Sequence, residues 1–276
     1  MKNKVVIVGG GMVGAATAIK LAKQGASVTV LEQQCIDPHA VLASEKIDIR
    51  ISAINRFSEA LLDDLGAMPL LRENRIAPYT QLEAYESAQN SLLFDSEEVG
   101  SSHLGHLIEN SLTQASLWAQ FEQSQIQVDQ VDGLPVSIEQ SDDTVTLHYK
   151  NKSYTADLLV AADGGRSQVR HLVGIGVTGW QYQQSCMGVL IKIDAPQQTK
   201  TWQQFKQTGP IAFLPMQAPY ANLIWYHDSA ELARLKQLSN EQVKAEIQSN
   251  FFALPGDFTV EEKAVFPLAR QHANTY

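Results

Sequence analysis

The chain is poor in cysteine, in positive charge and in long apolar runs, and each shortage excludes something. Two cysteines in 276 residues, Cys35 and Cys186, stand too far apart for the short spacings of a zinc site or a disulfide framework. They read as reduced thiols of an intracellular protein. Lys and Arg number 21 against 30 Asp and Glu, a formal charge of −9, and no stretch is rich in basic residues. Nucleic acid is therefore excluded as a partner, because phosphate backbones are held by concentrated positive charge. No segment reaches the roughly 20 apolar residues that a membrane-crossing helix needs. No secretory leader is expected either, since Met1-Lys2-Asn3-Lys4 runs straight into a β-branched stretch. The expected location is cytoplasmic, with peripheral contact at the inner face of a membrane left open. No internal repeat or low-complexity linker is present, and a 44% hydrophobic composition can bury a sizeable core.

Within that frame the apolar periodicity changes several times. Residues 5–8 form a β-branched run read as a buried strand, and residues 15–24 repeat apolar side chains at helical spacing up to Gly25. Residues 27–31 read as a second strand, so the chain opens on a βαβ unit and predicts a parallel sheet. A helix is expected over 58–65, closed by Gly66, and an antiparallel strand pair over 80–95. Residues 112–123 read as a helix with Ser111 as its N-cap, residues 127–154 as a β-meander, and 157–161 as a buried strand. After Gly179 short strand-like segments hold most of the aromatic residues, and residues 231–252 contain two helical stretches. The fold class is α/β: a Rossmann-like nucleotide-binding domain of 1–70 and 100–175, with a sheet-rich second domain of 71–99 and 176–276.

Gly9-x-Gly11-x-x-Gly14 follows the first strand and opens the helix, the context that gives this pattern its meaning. Gly9 permits the tight turn, Gly11 lets a pyrophosphate approach the backbone, and Gly14 lets helix and strand pack closely. Met12 and Val13 lie between the last two glycines, where a helix N-terminus offers unpaired N–H groups to phosphate. Glu32, at the end of the second strand, suits the hydroxyls of an adenosine ribose and repels a 2′-phosphate. An adenine dinucleotide is expected, but on this motif alone NAD and FAD remain open.

A second glycine turn lies in LVAADGGRSQVR, residues 159–170. A strand delivers Asp163 and Gly164 to its carboxyl end, where ligands sit in open α/β sheets. Asp163 suits a cofactor hydroxyl or a water, and Arg170 suits either Asp163 or a phosphate. The plainer alternative is a strand, a turn and a helix capped by the aspartate.

Together the two motifs resemble those of the group A FAD-dependent aromatic monooxygenases, the para-hydroxybenzoate-hydroxylase-like fold. The likeness continues through RISAINRFSEALLDDLG (50–66), HLGHLIENSLTQASLW (103–118), WQYQQSCMGVL, TWQQF, GPIAFLP and VFPLARQHA. It is greatest to the hydroxylases of ubiquinone biosynthesis. The resemblance implies FAD as cofactor and NAD(P)H and O2 as co-substrates. It further implies a flavin hydroperoxide that hydroxylates the ring of a polyprenylated methoxy-methyl-benzoquinol. Arg50, just past the third strand region, matches an arginine beside the flavin. Other ubiquinone-biosynthesis proteins are further partners that the family suggests. The alternatives are action on another ring position or a soluble phenol, a flavin-dependent dehydrogenase, and a non-catalytic subunit of a biosynthetic complex.

No proton-transfer residue is assigned. His103 and His106 lie three apart in a stretch read as a polar loop, and a structural role is preferred for both. Phe213, Pro215 and Trp225 are nominated as substrate contacts, with Trp180, Tyr182 and Phe266 as further candidates for an aromatic cavity. The apolar AFLPMQAP segment suits an uncharged lipidic ring better than a carboxylate. The family's third motif, Gly-Asp-Ala-Ala-His, does not occur, and Gly256-Asp257 reads as a turn. The sequence is therefore expected to be a C-terminally truncated piece that lacks part of the flavin's walls. FAD should then bind weakly or not at all and turnover should be absent; flavin absorbance retained through gel filtration would contradict this.

Overall fold

The computed structural model describes residues 3–87 and 90–275. Met1 and Lys2 of the expected leaderless start, and the middle of the expected 80–95 pair, lie outside them. The chain begins β1 (Lys4–Val8), α1 (Met12–Lys23), β2 (Ser27–Glu32), α2 (Pro38–Ala43), β3 (Ile51–Asn55), α3 (Arg56–Asp64) and α4 (Met68–Arg72). It continues through β4 (Ile76–Tyr79), β5 (Gln81–Ser87), β6 (Asn90–Asp95), β7 (Gly105–Glu109), α5 (Asn110–Trp118) and β8 (Gln127–Gln130). Next come β9 (Ser137–Gln140), β10 (Val145–His148), β11 (Ser153–Ala156), β12 (Leu158–Ala161), α6 (Gln168–Leu172) and β13 (Val177–Ile193). The last elements are β14 (Lys200–Gln204), β15 (Ile211–Pro215), β16 (Tyr220–Asp228), α7 (Ser229–Gln237), α8 (Asn240–Asn250) and β17 (Phe258–Ala273).

The nucleotide-binding half is built on a four-stranded sheet in the order β12-β1-β2-β8, every neighbour parallel. β1 is an inner strand of this sheet, so both of its faces are covered and Val5, Val6, Ile7 and Val8 are all buried. That is why it reads as an unbroken apolar run rather than an alternating one. On one face α1 contributes Ala15, Ala18 and Ile19, and α5 contributes Leu112, Leu117 and Trp118. The other face meets Leu147, Tyr149 and Ala156 of the meander region β9-β10-β11. A three-stranded sheet, β3-β7-β4, carries the chain toward the second half.

Three local expectations are corrected. Residues 127–130 do not start the meander: β8 pairs in parallel with β2 and completes the nucleotide sheet. β12 is an edge strand, with Leu158 48% exposed, rather than a buried one. α5 starts at Asn110 with no side-chain cap at Glu109, and Ser111 lies inside it. Its N-terminal amide is satisfied instead by Asp48 Oδ2, which accepts from Ser111 N at 3.2 Å.

The seven-stranded sheet runs β17-β13-β16-β15-β14-β5-β6, so strands near residues 80–95 and strands after 176 share one sheet. α7 and α8 cover one face, where Leu232, Leu235, Val243 and Ile247 pack on Val189, Phe213, Leu223 and Trp225. The opposite face meets the segment before β3, through Leu190 and Met216 against Ile47 and Ile49. Gly256 and Asp257 sit in the turn that leads into β17. Among the described residues no helix is long and apolar enough to cross a membrane.

The two cysteines differ sharply in setting. Cys186 lies on β13, where burial pushes its thiol up to about 11. Cys35 is exposed, and its thiol is raised by partial desolvation and by Glu32. Alkylation needs an accessible thiolate. Iodoacetamide at neutral pH should therefore label Cys35 and spare Cys186 in the native chain, and label both in denaturant, as peptide mass spectrometry would show.

Candidate nucleotide site

β1 and β12 run side by side in register, with Val8 beside Ala161, so the two glycine turns leave the sheet next to each other. Gly9 adopts φ +101°, and a Cβ there would fall inside the contact distance of the Ala162 carbonyl. A Cβ at Gly14 would overlap the Gly9 carbonyl oxygen and come within 3.2 Å of the Ala162 Cβ. The turns therefore touch, and only hydrogen fits between them. Gly11 is different: a Cβ there would meet nothing within 4 Å. It is the N-cap of α1, and neither a side-chain cap nor a first-turn acid occupies that helix end. The first amides of α1 are thus left to be satisfied by something else. Met12 packs partly on the core, whereas Val13 is exposed.

Glu32 braces this turn. Its Oε2 accepts from Gly10 N at 2.6 Å, and its Oε1 accepts from Gln33 N and Gln34 N at 2.8 and 3.0 Å. The Gly10 carbonyl in turn accepts from Trp118 Nε1 at 2.7 Å and Gln114 Nε2 at 2.9 Å. A Cβ at Gly10 would sit 2.5 Å from the Trp118 ring. Gly10, Gln114 and Trp118 were not among the expected site residues. The middle glycine of the run 9–11 was their only signal, and Gln114 and Trp118 lie about a hundred residues from it.

In the second turn, Asp163 Oδ2 accepts from Gln168 N and Val169 N at 2.8 and 3.1 Å, the plain capping role. Its Oδ1 is buried and has no partner among the described residues. Gly164, at φ +81°, has open space where a Cβ would be. Arg170 does not pair with Asp163: its Nη1 donates to Ile175 O at 2.9 Å and closes the turn after α6. Its guanidinium is used locally, although the residue also lines a groove of about 720 Å³ that runs over β12 to Gly164.

Arg50 is exposed and lies before β3 rather than after a strand. Its amide donates to Asp48 Oδ1 at 2.9 Å and its carbonyl accepts from Asn110 N at 2.8 Å. The loop is anchored by Glu109, 1% exposed, which accepts from Arg75 Nε at 2.9 Å and from Asp48 N at 2.7 Å. Arg75 also donates to Ser44 O at 2.7 Å. A cavity of about 270 Å³ beside it is lined by Lys46, Asp48, Ile49, Arg75, Ser111 and Glu262.

The nominated substrate contacts need correction. Phe213 and Trp225 are buried under α7 and α8, on the sheet face away from Ile47 and Ile49, and Pro215 is on the same face as Phe213. They are packing residues. Trp180, Tyr182 and Phe266 are exposed, with the Arg270 guanidinium 4.9 Å from the Trp180 ring centre. The face toward the Arg50 loop carries Gly188, Leu190, Leu214 and Asn222 instead. Asn222 donates from Nδ2 to Ile49 O at 2.5 Å, and its buried Oδ1 has no partner among the described residues. His106 is not in a loop: it is buried on β7 and sits with His103 beside Glu59.

Comparison with known proteins fits this geometry. The family model described as "FAD binding domain" matches residues 2–276. The 3-demethoxyubiquinol 3-hydroxylase of Escherichia coli (strain K12) is 38% identical over 275 residues, 99% of this chain and 70% of that protein. The ubiquinone biosynthesis monooxygenase COQ6, mitochondrial, of Danio rerio is 28% identical over 268 residues, 90% of this chain and 54% of that protein. The crystal structure of aklavinone-11 hydroxylase with FAD and aklavinone superposes with a TM-score of 0.69 at 20% identity. It covers 99% of this chain and 55% of its own.

Two glycines separate packing from ligand approach. Gly14→Ala should cost on the order of 3 kcal/mol in a denaturant melt, because its Cβ has only backbone to displace. Gly11→Ala should leave stability within about 0.5 kcal/mol. In an FAD titration it should nonetheless weaken binding ~10-fold or more, an effect of about 1.4 kcal/mol.

Proposed function

Since this chain belongs to the FAD-binding-domain family, matched over residues 2–276, we propose that its two touching glycine turns supply the FAD cradle of an enzyme that hydroxylates an aromatic ring. The ring is that of a polyprenylated benzoquinol in ubiquinone biosynthesis, and NAD(P)H and O2 are the co-substrates. The observation that carries the reading is the contact of Gly9 and Gly14 with Ala162, which makes one cradle from two motifs. The residues present fit the cofactor: an open approach at Gly11, an α1 N-terminus with no side-chain cap and Asp163 Oδ1, which has no partner among the described residues.

The first amides of α1 take the pyrophosphate, aided by the helix dipole. Glu32, held against Gly10, accepts from the adenosine ribose with its remaining lone pairs. Asp163 caps α6 with one oxygen and keeps the other for a cofactor hydroxyl. When bound, FAD supplies the electron transfer and oxygen activation that no side chain provides. The chain's own part is placement and exclusion of water.

For the ring, the open space at the Arg50 loop is the cavity of about 270 Å³ lined by Ile47, Ile49, Arg75 and Ser111, since Leu190, Met216 and Asn222 are already packed against Ile47 and Ile49. A quinol's own ring oxygens activate it, so no strong protein base is needed. The names of the Escherichia coli and Danio rerio relatives support the same substrate class.

Deleting the gene for this chain should cause a prenylated quinol lacking one ring oxygen to accumulate, identified by mass spectrometry of lipid extracts. Accumulation of a ring lacking a different substituent would reassign the position. Unchanged quinones would overturn the reading.

A further inference from the structure

A second set of donor groups lies in a part of the molecule that this reaction does not use. β3 pairs with β7, placing Asn55 beside Gly105 and Ile54 beside His106, and α3 follows β3 directly. The first turns of α3 are thereby laid against the start of β7. Glu59, only 7% exposed, places Oε2 2.8 Å from His103 Nε2 and 3.7 Å from His106 Nδ1. One ligand atom from each of the three residues lies within 4.8 Å of the others. His106 Nδ1 is buried and has no hydrogen-bond partner among the described residues.

The donor chemistry suits a metal. Burial lowers the pKa of His106, against the opposing pull of Glu59. Burial by itself raises Glu59, but the His103 hydrogen bond and the charges of His106, His103 and Arg56 bring it below the usual carboxylate range. Two imidazoles and one carboxylate form a donor set that zinc and its first-row neighbours favour.

Arg56 marks where the ion would sit. Its Nη1 lies 2.6 Å from His103 Nε2 and 2.9 Å from Glu59 Oε2. His103 Nε2 is then asked to accept from the guanidinium and to donate to Glu59 at once, which one ring nitrogen cannot do. A divalent ion at that point removes the conflict, because both groups can offer it lone pairs. Ser102 Oγ, 2.9 Å from His103 Nδ1, can take the other ring proton and fix the tautomer that leaves Nε2 free, as outer partners of metal-bound histidines do. The Arg56 side chain is half-exposed, while Arg72 is engaged by Asp63 at 3.0 Å and lies 3.8 Å from the other Glu59 oxygen, Oε1.

We propose that Glu59, His103 and His106 form a binding site for one divalent transition ion of the zinc type, with Arg56 as its displaceable occupant. Bound there, the ion would tie α3 to the start of β7.

The test uses the chelator-treated chain titrated with ZnCl2, and with CoCl2 as the spectroscopic probe. One equivalent should bind, with the visible absorption of a low-symmetry, four- or five-coordinate cobalt ion, and zinc should raise the melting temperature. Arg56→Gln should tighten binding severalfold by removing the competing cation. His103→Gln, a substitution in a loop, should abolish binding while circular dichroism stays native. Absence of saturable binding overturns the proposal, as does stoichiometric binding that survives His103→Gln or weakens in Arg56→Gln.

Discussion

The approach of Gly9 to Ala162 and Asp163, backbone against backbone, depends on the parallel pairing of β1 with β12. Any side chain at Gly9 or Gly14 would wedge the strands' carboxyl ends apart. With hydrogen there, the turns share one ridge, with the α1 N-terminus on one side and Asp163 on the other. Residues about 150 apart in sequence thereby meet on one ridge. The bracing of Gly10 by Glu32, Gln114 and Trp118 fixes the same ridge from beneath, so its geometry is set before anything binds. Preorganisation of this kind reduces the ordering cost that binding would otherwise carry.

Much of this half was legible because local and global demands agree. The βαβ start, its glycines and Glu32 follow from rules that act within thirty residues, and the apolar run of β1 reports its inner position directly. The second turn was legible as a motif, but the division of labour in Asp163 was not. Whether an aspartate caps a helix, meets a ligand or does both depends on which amides reach each oxygen. Arg170 illustrates the limit: its spacing suited Asp163 or phosphate, yet the carbonyl of Ile175 is nearer. Ser111 has the right residue type for a cap, but Asp48 supplies the carboxylate from across the structure, and no local rule reports that.

Asp48 belongs to an arrangement that sequence patterns do not reveal. Glu109 is almost wholly buried at the end of β7, and its carboxylate takes Arg75 and the Asp48 amide. A buried carboxylate stripped of its partner costs about 3–5 kcal/mol, so the pair is constrained to stay together. Through Arg75 it grips the carbonyl of Ser44, and through Asp48 it fixes both the start of α5 and the amide of Arg50. The backbone at an exposed cation, Arg50, is thus fixed by an ion pair at the end of β7.

The substrate side was misread for a reason of parity. Adjacent residues of a strand face opposite sides of the sheet, so naming an aromatic strand does not say which side its rings occupy. In β15, Phe213 and Pro215 fall on the side that α7 and α8 cover, and Leu214 falls on the other. The two amphipathic helices need the large rings beneath them to bury their apolar faces, and this need claims Trp202, Phe213 and Trp225. What remains toward the Arg50 loop is smaller and less conspicuous: Gly188, Leu190, Leu214 and a single asparagine. Gly188 gives the Ile49 side chain and Asn222 Oδ1 their closest approach, with a Cβ there within 3.8 Å of both. That face is claimed in its turn by Ile47 and Ile49, which pack on Leu190 and Met216, and its asparagine stands out because Oδ1 has no partner among the described residues.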